Sequence, residues 1–352
     1  MARLRRRLAE TADEITQEIR KPVVRGEKGE RFGFSSGSTL LNLALTDHAD
    51  FGFLPGKLVN IIGDSSAGKS FLLWTLFAEL AHDPRFDEYD LIYDEPEVSI
   101  EFDIPKLFGG KTEERVRTDI LSDTMEDFHD NLIKEVSKGK PIIYGLDSFD
   151  ALTSEAEKKR DVHDGTYGGE KPKMSSEILR KVIGRISKTN SAVFIVSQTR
   201  DNIGVKFGSK KTRSGGRALK FYSTHEIWLA IEGHIKRKDR EVGVDVIAKV
   251  SKNKVTGKLR TVGFPILYDY GVDDLVSMVN WLIDEKYWNR VKGKPGDTGK
   301  IDSNGFCEHD FMENLVNHIV AENLVADLKK VVEGHWLEIE ESIATVRPPR
   351  YE

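Results

Sequence analysis

Between residues 57 and 82 an apolar run, a glycine-bearing octet and a second apolar-periodic run follow one another without a gap. The octet is Gly63-Asp64-Ser65-Ser66-Ala67-Gly68-Lys69-Ser70, which satisfies the pattern G-x-x-x-x-G-K-[ST]. Lys57–Gly63 reads as a strand and Ser70–His82 as a helix, so the octet is a strand-to-helix turn. Glycines in such a turn let backbone N–H groups face one point, and the helix N-terminus adds partial positive charge there. Lys69 brings a full positive charge to the same point, and Ser70 a hydroxyl able to ligate Mg²⁺. A chain with this turn is committed to an α/β sheet and to holding the phosphates of a nucleoside triphosphate.

The pattern continues to Gln198, with strands expected at Asp90–Glu95, Ile142–Asp147 and Ala192–Gln198 and helices at Thr124–Gly139 and Ser175–Asn190. Short apolar strands separated by helices indicate a mostly parallel central sheet covered on both faces. Glu226–Glu232, Val244–Val250 and Val262–Tyr268 then read as consecutive antiparallel strands that extend it. Helices are expected again at Asp274–Trp288 and Phe311–Ser342, with a Gly-rich polar stretch between.

These shifts divide the chain into an N-terminal helical arm with its linker (1–32), a core that carries the octet (33–270) and a small α+β C-terminal domain (271–352). The arm places Leu4, Leu8, Ala12, Ile15 and Ile19 at helical spacing beside Arg3, Arg5, Arg6 and Arg7.

A phosphate cradle needs a carboxylate for the metal shell and a group that orients or deprotonates water. Asp147, after the apolar run Ile142–Leu146, is the metal candidate alongside Ser70. Asp94-Glu95-Pro96-Glu97 ends the strand expected to lie beside Lys57–Gly63, and either glutamate suits the second role.

Net charge is −5 over 352 residues, which by itself gives no sign of a polyanionic partner. Yet between Lys171 and Lys220 there are thirteen Lys or Arg against Glu177 and Asp201 alone. So one-sided a stretch is suited to phosphate backbones. Residues 301–342 are the reverse, with ten acids and two lysines, a balance that suits either plain solubility or electrostatic restraint of the basic face. Cys307 is the only cysteine, which excludes an intramolecular disulfide, and no apolar run reaches membrane-spanning length. A cytoplasmic protein is expected.

Three passages have a recognisable wording: Ser187-Lys-Thr-Asn-Ser-Ala-Val-Phe-Ile-Val-Ser-Gln198, Arg200-Asp-Asn-Ile-Gly-Val-Lys-Phe-Gly208 and Ser214-Gly-Gly-Arg-Ala-Leu-Lys-Phe-Tyr222. With Phe34–Leu45, Val250-Ser-Lys-Asn-Lys254 and Phe264-Pro-Ile-Leu-Tyr268, they resemble bacterial and phage RecA recombinases from about Phe34 to Trp288. The divergent ends lean toward the phage members.

The resemblance implies a RecA-like P-loop ATPase core that binds ATP and Mg²⁺, assembles as a helical filament on single-stranded DNA, and pairs it with homologous double-stranded DNA. It places the catalytic glutamate on Glu97, which keeps the family spacing to Lys106-Leu107-Phe108-Gly109, and the γ-phosphate sensor on Gln198. Lys252 and Lys254 match a pair reaching the neighbouring subunit's γ-phosphate, and Lys220 and Phe221 match residues of the same junction.

DNA loops are implied at about 155–173 and 199–217. Lys173 and Arg180 follow the first, and Arg200, Lys206, Lys210, Lys211, Arg213 and Arg217 lie in or near the second. Gly204, Gly215 and Gly216 would keep the second loop pliable. Ile203 matches an apolar residue inserted between base triplets, with Tyr167 its counterpart in the first loop. Ile104 stands where many members stack a tyrosine on adenine, leaving Phe102 and Tyr268 as substitutes.

Two other classes fit parts of this pattern: a RecA-like accessory ATPase that binds single-stranded DNA without strand exchange, and a hexameric helicase-like motor. The helicase class lacks the Gly-Gly-x-Ala-Leu-Lys-Phe-Tyr wording and normally carries an arginine finger where this chain has Lys252 and Lys254.

Overall fold

The computed structural model describes residues 32–99, 103–159, 170–201, 211–213, 216–292, 299–308 and 310–347. The expected N-terminal arm, Phe102, Tyr167, Ile203, Gly204, Lys206, Lys210 and Gly215 lie outside the described residues.

The apolar runs become strands of one ten-stranded sheet: β1 (Leu58–Gly63), β2 (Asp90–Asp94), β3 (Val116–Arg117), β4 (Ile142–Leu146), β5 (Ala192–Asp201), β6 (Lys211–Arg213), β7 (His225–Arg237), β8 (Arg240–Asn253), β9 (Thr261–Leu267) and β10 (Gly271–Val272). Their order is β10-β9-β8-β7-β1-β5-β4-β2-β3, with β6 paired to β5. From β7 to β3 neighbours run parallel, and from β7 to β10 antiparallel, as the sequence indicates. One expectation fails. β2 does not flank β1, whose neighbours are β5 and β7; β5 and β4 stand between them.

The main helices are α1 (Thr39–Thr46), α2 (Lys69–His82), α3 (Met125–Val136), α4 (Glu170–Lys188), α5 (Gly216–Tyr222), α6 (Asp274–Asp284), α7 (Met312–Ala321) and α8 (Val325–Ser342). Alternation along the central strands feeds two cores. Val59, Ile61, Phe194 and Val196 pack with Leu72, Leu73, Leu76 and Phe77 of α2, while Leu58, Val193, Ile195 and Tyr144 pack with Phe128, Leu132, Leu179, Val182 and Leu219 from α3, α4 and α5. Each of these side chains is buried, at about 1.5–3 kcal/mol apiece for a large apolar group. Helices therefore cover both faces, and the octet is left at the C-terminal end of β1.

Several elements differ in extent from the sequence pattern, the β7–β8 hairpin and the last helical segment most. β7 and β8 run 13 and 14 residues and pair as far as Arg237↔Arg240. Their turn residues Lys238 and Asp239 take φ 47° and 62°, the geometry of a type I′ turn written without its usual Asn-Gly signal. β1 accompanies β7 only to Leu229 and β9 accompanies β8 only back to Gly243, so the outer hairpin is a bare two-stranded ribbon. Second, the helix expected over Phe311–Ser342 is broken into α7 and α8 at Asn323, whose φ of 57° is one asparagine tolerates.

The described residues from Gly33 onward form one compact unit, in which Leu315, Ile319, Leu328, Val332 and Trp336 from α7 and α8 join the core cluster of β1 and α2. A polar bolt reinforces this join. The Arg260 guanidinium donates to Glu340 Oε1 at 2.8 Å and to the carbonyls of Leu43 and Ala44 at the end of α1, pairs with Asp47, and lies 5.1 Å from the Trp336 ring centroid.

Candidate nucleotide site and its connections

The octet turns between β1 and α2 through Gly68, which takes φ +84°; a Cβ there would meet Ile266 Cδ1 at 2.5 Å, so glycine alone fits. Lys69 is buried, and its Nζ donates to the Asp64 carbonyl at 2.6 Å. Burial lowers its pKa, against the opposing pull of the carboxylates of Asp147, Glu97, Asp64 and Asp150. A desolvated cation bonded to a neutral carbonyl at a helix N-terminus is poised to take an anion.

Asp147 lies just beyond β4, with Tyr93 Oη donating to its Oδ2 at 3.1 Å and the Ser70 hydroxyl bonded to the same carboxylate. Burial raises the Asp147 pKa even though Ser70, Tyr93 and Lys69 all oppose the rise. A hydroxyl and a buried carboxylate are hard oxygen donors, and a divalent cation beside them would offset that burial, so the residues present fit Mg²⁺.

Glu97 reaches this centre from beyond the end of β2. Its Oε1 accepts from Ser148 Oγ at 2.6 Å and from Gln198 Nε2 at 3.2 Å. Glu95 turns elsewhere, accepting from the Ser99 N–H at 2.9 Å, and Asp94 is buried under Tyr144 and Ser122. The structure thus brings together Lys69, Ser70, Glu97, Asp147 and Gln198. It adds three residues not singled out from the sequence. Ser148 holds Glu97, Asp150 accepts from the Gln198 N–H at 2.7 Å, and Thr199 donates to the octet's Asp64. Ser148 and Asp150 had a signal, since polar residues just beyond a buried strand's C-terminal end sit at the ligand crevice.

Tyr268 is also at the site. With Ser66, Gly68, Lys69 and Ser70 it lines a cavity of about 460 Å³. Ile104 lines a separate cavity with Trp74, Tyr93 and Glu95.

Lys252 and Lys254 are not brought to the octet of their own chain. Lys252 pairs with Glu226, which pairs with Asn60, three residues before Gly63; at ~3.3 Å per residue this sets the lysine roughly 10 Å back along β1. There Lys252 Nζ donates to the Phe221 carbonyl at 3.1 Å and to that of Lys220, and Lys254 Nζ donates to the Phe221 carbonyl at 3.2 Å. Both lysines thus meet carbonyls at the C-terminal end of α5, where cations are favoured. Lys220 is exposed, as is Phe221, under whose ring Lys254 stands 6.0 Å from the centroid.

Of the expected DNA contacts, Lys173 and Arg180 are exposed seven residues apart on α4, hence on one face. Arg200 is exposed near the end of β5, 3.6 Å from Asp150. Lys211 and Arg213 belong to β6, and Gly216 and Arg217 open α5 instead of lying in a loop. Among the described residues no group of His, Cys, Asp and Glu forms a further metal site, and no helix is long and apolar enough to cross a membrane.

Residues 25–273 match the RecA N-terminal domain family. The chain belongs to the RecA family. It is 28% identical over 293 residues to Protein RecA of Colwellia psychrerythraea, covering 80% of this chain and 81% of that protein. It is 32% identical over 263 residues to Protein RecA of Caulobacter sp. (strain K31), covering 72% and 69%, and 32% identical over 249 residues to that of Parvibaculum lavamentivorans, covering 70% and 65%. The RecA family match spans the whole sheet and every residue of the nucleotide site; α6, α7 and α8 lie beyond it.

Proposed function

We propose that the chain is a DNA-dependent ATPase of the cytoplasm that assembles as a helical filament on single-stranded DNA and promotes pairing and strand exchange with homologous double-stranded DNA. One observation carries this reading: a single stretch of chain runs from the nucleotide site through the basic segment to the two lysines. Gln198 touches Glu97 at the start of that stretch, β5, β6 and α5 form its described parts, and the last carbonyls of α5 hold Lys252 and Lys254. A change at the nucleotide therefore has a covalent route to the DNA segment and to the lysine pair.

Within the site, the octet backbone from Gly63 to Ser70 cradles the phosphates of ATP and Lys69 neutralises their charge. Ser70 and Asp147 hold Mg²⁺, which when bound supplies positive charge to the phosphate oxygens. Glu97, fixed by Ser148, orients water and takes its proton, while Gln198 registers the γ-phosphate. Tyr268 borders the nucleoside end. Lys252 and Lys254, set back from their own octet, serve that of an adjoining subunit and stabilise transition-state charge there, so hydrolysis depends on assembly. Lys220 and Phe221 sit at that junction. Lys173, Arg180, Arg200, Lys211, Arg213 and Arg217 contact DNA phosphates, giving sequence-independent binding. Residues 33–270 are the ATPase core in this reading, with 1–32 an assembly arm and 271–352 a C-terminal domain.

The test is a strand-exchange assay with ATP, single-stranded DNA and homologous duplex. Wild type should form joint molecules and Lys69→Ala should not. If both fail while wild type still binds single-stranded DNA, the accessory-ATPase reading replaces this one.

A further inference from the structure

The cavity beside the octet extends past the phosphate-binding residues. Its far wall consists of Ile231, His234, Glu241, Val244, Ile266 and Tyr268, contributed by the β7–β8 hairpin, by β9 and by the residue after it. Gly243 makes this wall possible. A Cβ at that position would stand 2.4 Å from the Ile266 carbonyl oxygen, so glycine is what lets β9 close against the hairpin. The closure continues one residue further, where the Tyr268 N–H donates to the Val242 carbonyl at 2.9 Å.

Three polar groups then meet at one atom. The Tyr268 hydroxyl donates to Glu241 Oε1, and His234 Nδ1 stands 3.0 Å from the same oxygen. The Tyr268 and His234 contacts hold the Glu241 carboxyl below the usual carboxylate range, so it is anionic at neutral pH. Both bonds fall on Oε1, and Oε2 has no hydrogen-bond partner among the described residues. Meanwhile the Tyr268 ring is 46% exposed beside the apolar surface of Ile231, Val244 and Ile266.

An apolar wall, a half-exposed aromatic ring and one braced acceptor, all beyond the phosphate end, make up the chemistry that recognises a nucleoside. We propose that Glu241, braced by Tyr268 and His234, is a specificity-determining residue of the nucleotide site and accepts a hydrogen bond from a donor on the nucleoside of the bound triphosphate. That donor is either an exocyclic amino group of the base or a ribose hydroxyl. The inference rests on the nucleotide reading of the octet. A nucleotide lacking the donor leaves the carboxylate oxygen facing the ligand unpaired, and one offering a carbonyl there is repelled.

The test is a binding panel with Mg²⁺ present, on wild type, Glu241→Val and Tyr268→Phe. The ligands are ATP, purine riboside triphosphate (no 6-amino group), 2′-deoxy-ATP and inorganic tripolyphosphate. Wild type should prefer ATP to one of the two analogues by about tenfold, the ratio that 1.4 kcal/mol of discrimination gives. Loss against purine riboside triphosphate assigns the donor to the base, and loss against the deoxy compound assigns it to the ribose. Glu241→Val should abolish that preference by weakening ATP alone, with tripolyphosphate affinity unchanged; Tyr268→Phe, which removes the brace, should reduce it.

Flat ratios in wild type, ratios unaltered by Glu241→Val, or an equal loss for tripolyphosphate would each overturn the proposal. If wild type binds tripolyphosphate with flat nucleoside ratios, only this proposal falls. If folded wild type binds neither tripolyphosphate nor ATP, the nucleotide reading falls with it.

Discussion

Replacing Arg260 with methionine removes the charge at the centre of the bolt between the ATPase body and α8 while keeping most of the side chain's length. Arg260 is about 10% exposed, and its guanidinium lies 2.7 Å from Glu340 besides pairing with Asp47. Removing one partner of a buried ion pair costs about 3–5 kcal/mol, because the remaining charge stays buried without compensation. Lys258 softens the loss, since its Nζ lies 3.2 Å from Asp47 and 2.7 Å from Glu340, so about 3 kcal/mol is the expected value. At ~2.1 cal/mol/K of unfolding entropy per residue, a chain this size has a melting entropy of roughly 0.7 kcal/mol/K, and Tm should fall by about 4 °C.

Thermal unfolding followed by circular dichroism measures this, and the double variant with Glu340→Gln sharpens it. In the Arg260→Met background the second substitution should cost at least about 1 kcal/mol less than it does alone. The pH dependence has a definite sign. Burial pushes both carboxyls up, but Asp47 is held below the usual range by the Trp336 bond together with Arg260 and Lys258, and Glu340 by Arg260 and Lys258. Groups with depressed folded pKa values stabilise fully above their unfolded pKa and lose that contribution as pH falls through the folded one. The difference between wild type and Arg260→Met should therefore be complete above about pH 5 and shrink below about pH 4. A Tm within 1 °C of wild type, or strictly additive double-variant costs, would refute the bolt.

Two further outcomes follow from the site. Glu97→Gln keeps the bonds from Ser148 and Gln198 possible but removes the base, so steady-state hydrolysis should fall about 10²- to 10⁴-fold with ATP affinity retained; an unchanged rate would move the role to another acid. If the lysines act across a subunit junction, Lys252→Ala/Lys254→Ala and Lys69→Ala should each be inactive alone, yet regain DNA-stimulated hydrolysis when mixed, because one supplies intact octets and the other intact lysines. No recovery in mixed assemblies that both variants enter would place the lysines outside catalysis.

The octet and the parallel half of the sheet were legible because each rests on local pattern: an apolar strand, a glycine turn, a periodic helix. The position of Asp147 beside Ser70 was legible for the same reason, as the first acid after a buried run. The wrong placement of β2 beside β1 shows where local pattern stops. Strand order is set by which crossovers pack best, and nothing within Asp90–Asp94 encodes its neighbour. The full length of the hairpin is hidden in the sequence because Lys238-Asp239 carries a type I′ turn in residues that do not announce one. Glu97 could be preferred to Glu95 only through family spacing, since what separates them physically is contact with Ser148 and Gln198, residues 51 and 101 positions away. The bolt at Arg260 was invisible for a related reason: its acids, Asp47 and Glu340, are far from it in the chain and unremarkable in composition.

The outer part of the β7–β8 hairpin, which has no strand beside β7 past Leu229 and only the Tyr268–Val242 bond beside β8 before Gly243 among the described residues, is a nearly bare edge. An unpaired strand edge is a ready template for pairing with the edge of another chain. Here the ribbon's tip carries Lys236, Arg237, Lys238 and Arg240 against the single acid Asp239, all exposed, and is net cationic. Two such tips repel each other, so the charge acts as a gatekeeper against edge-to-edge stacking.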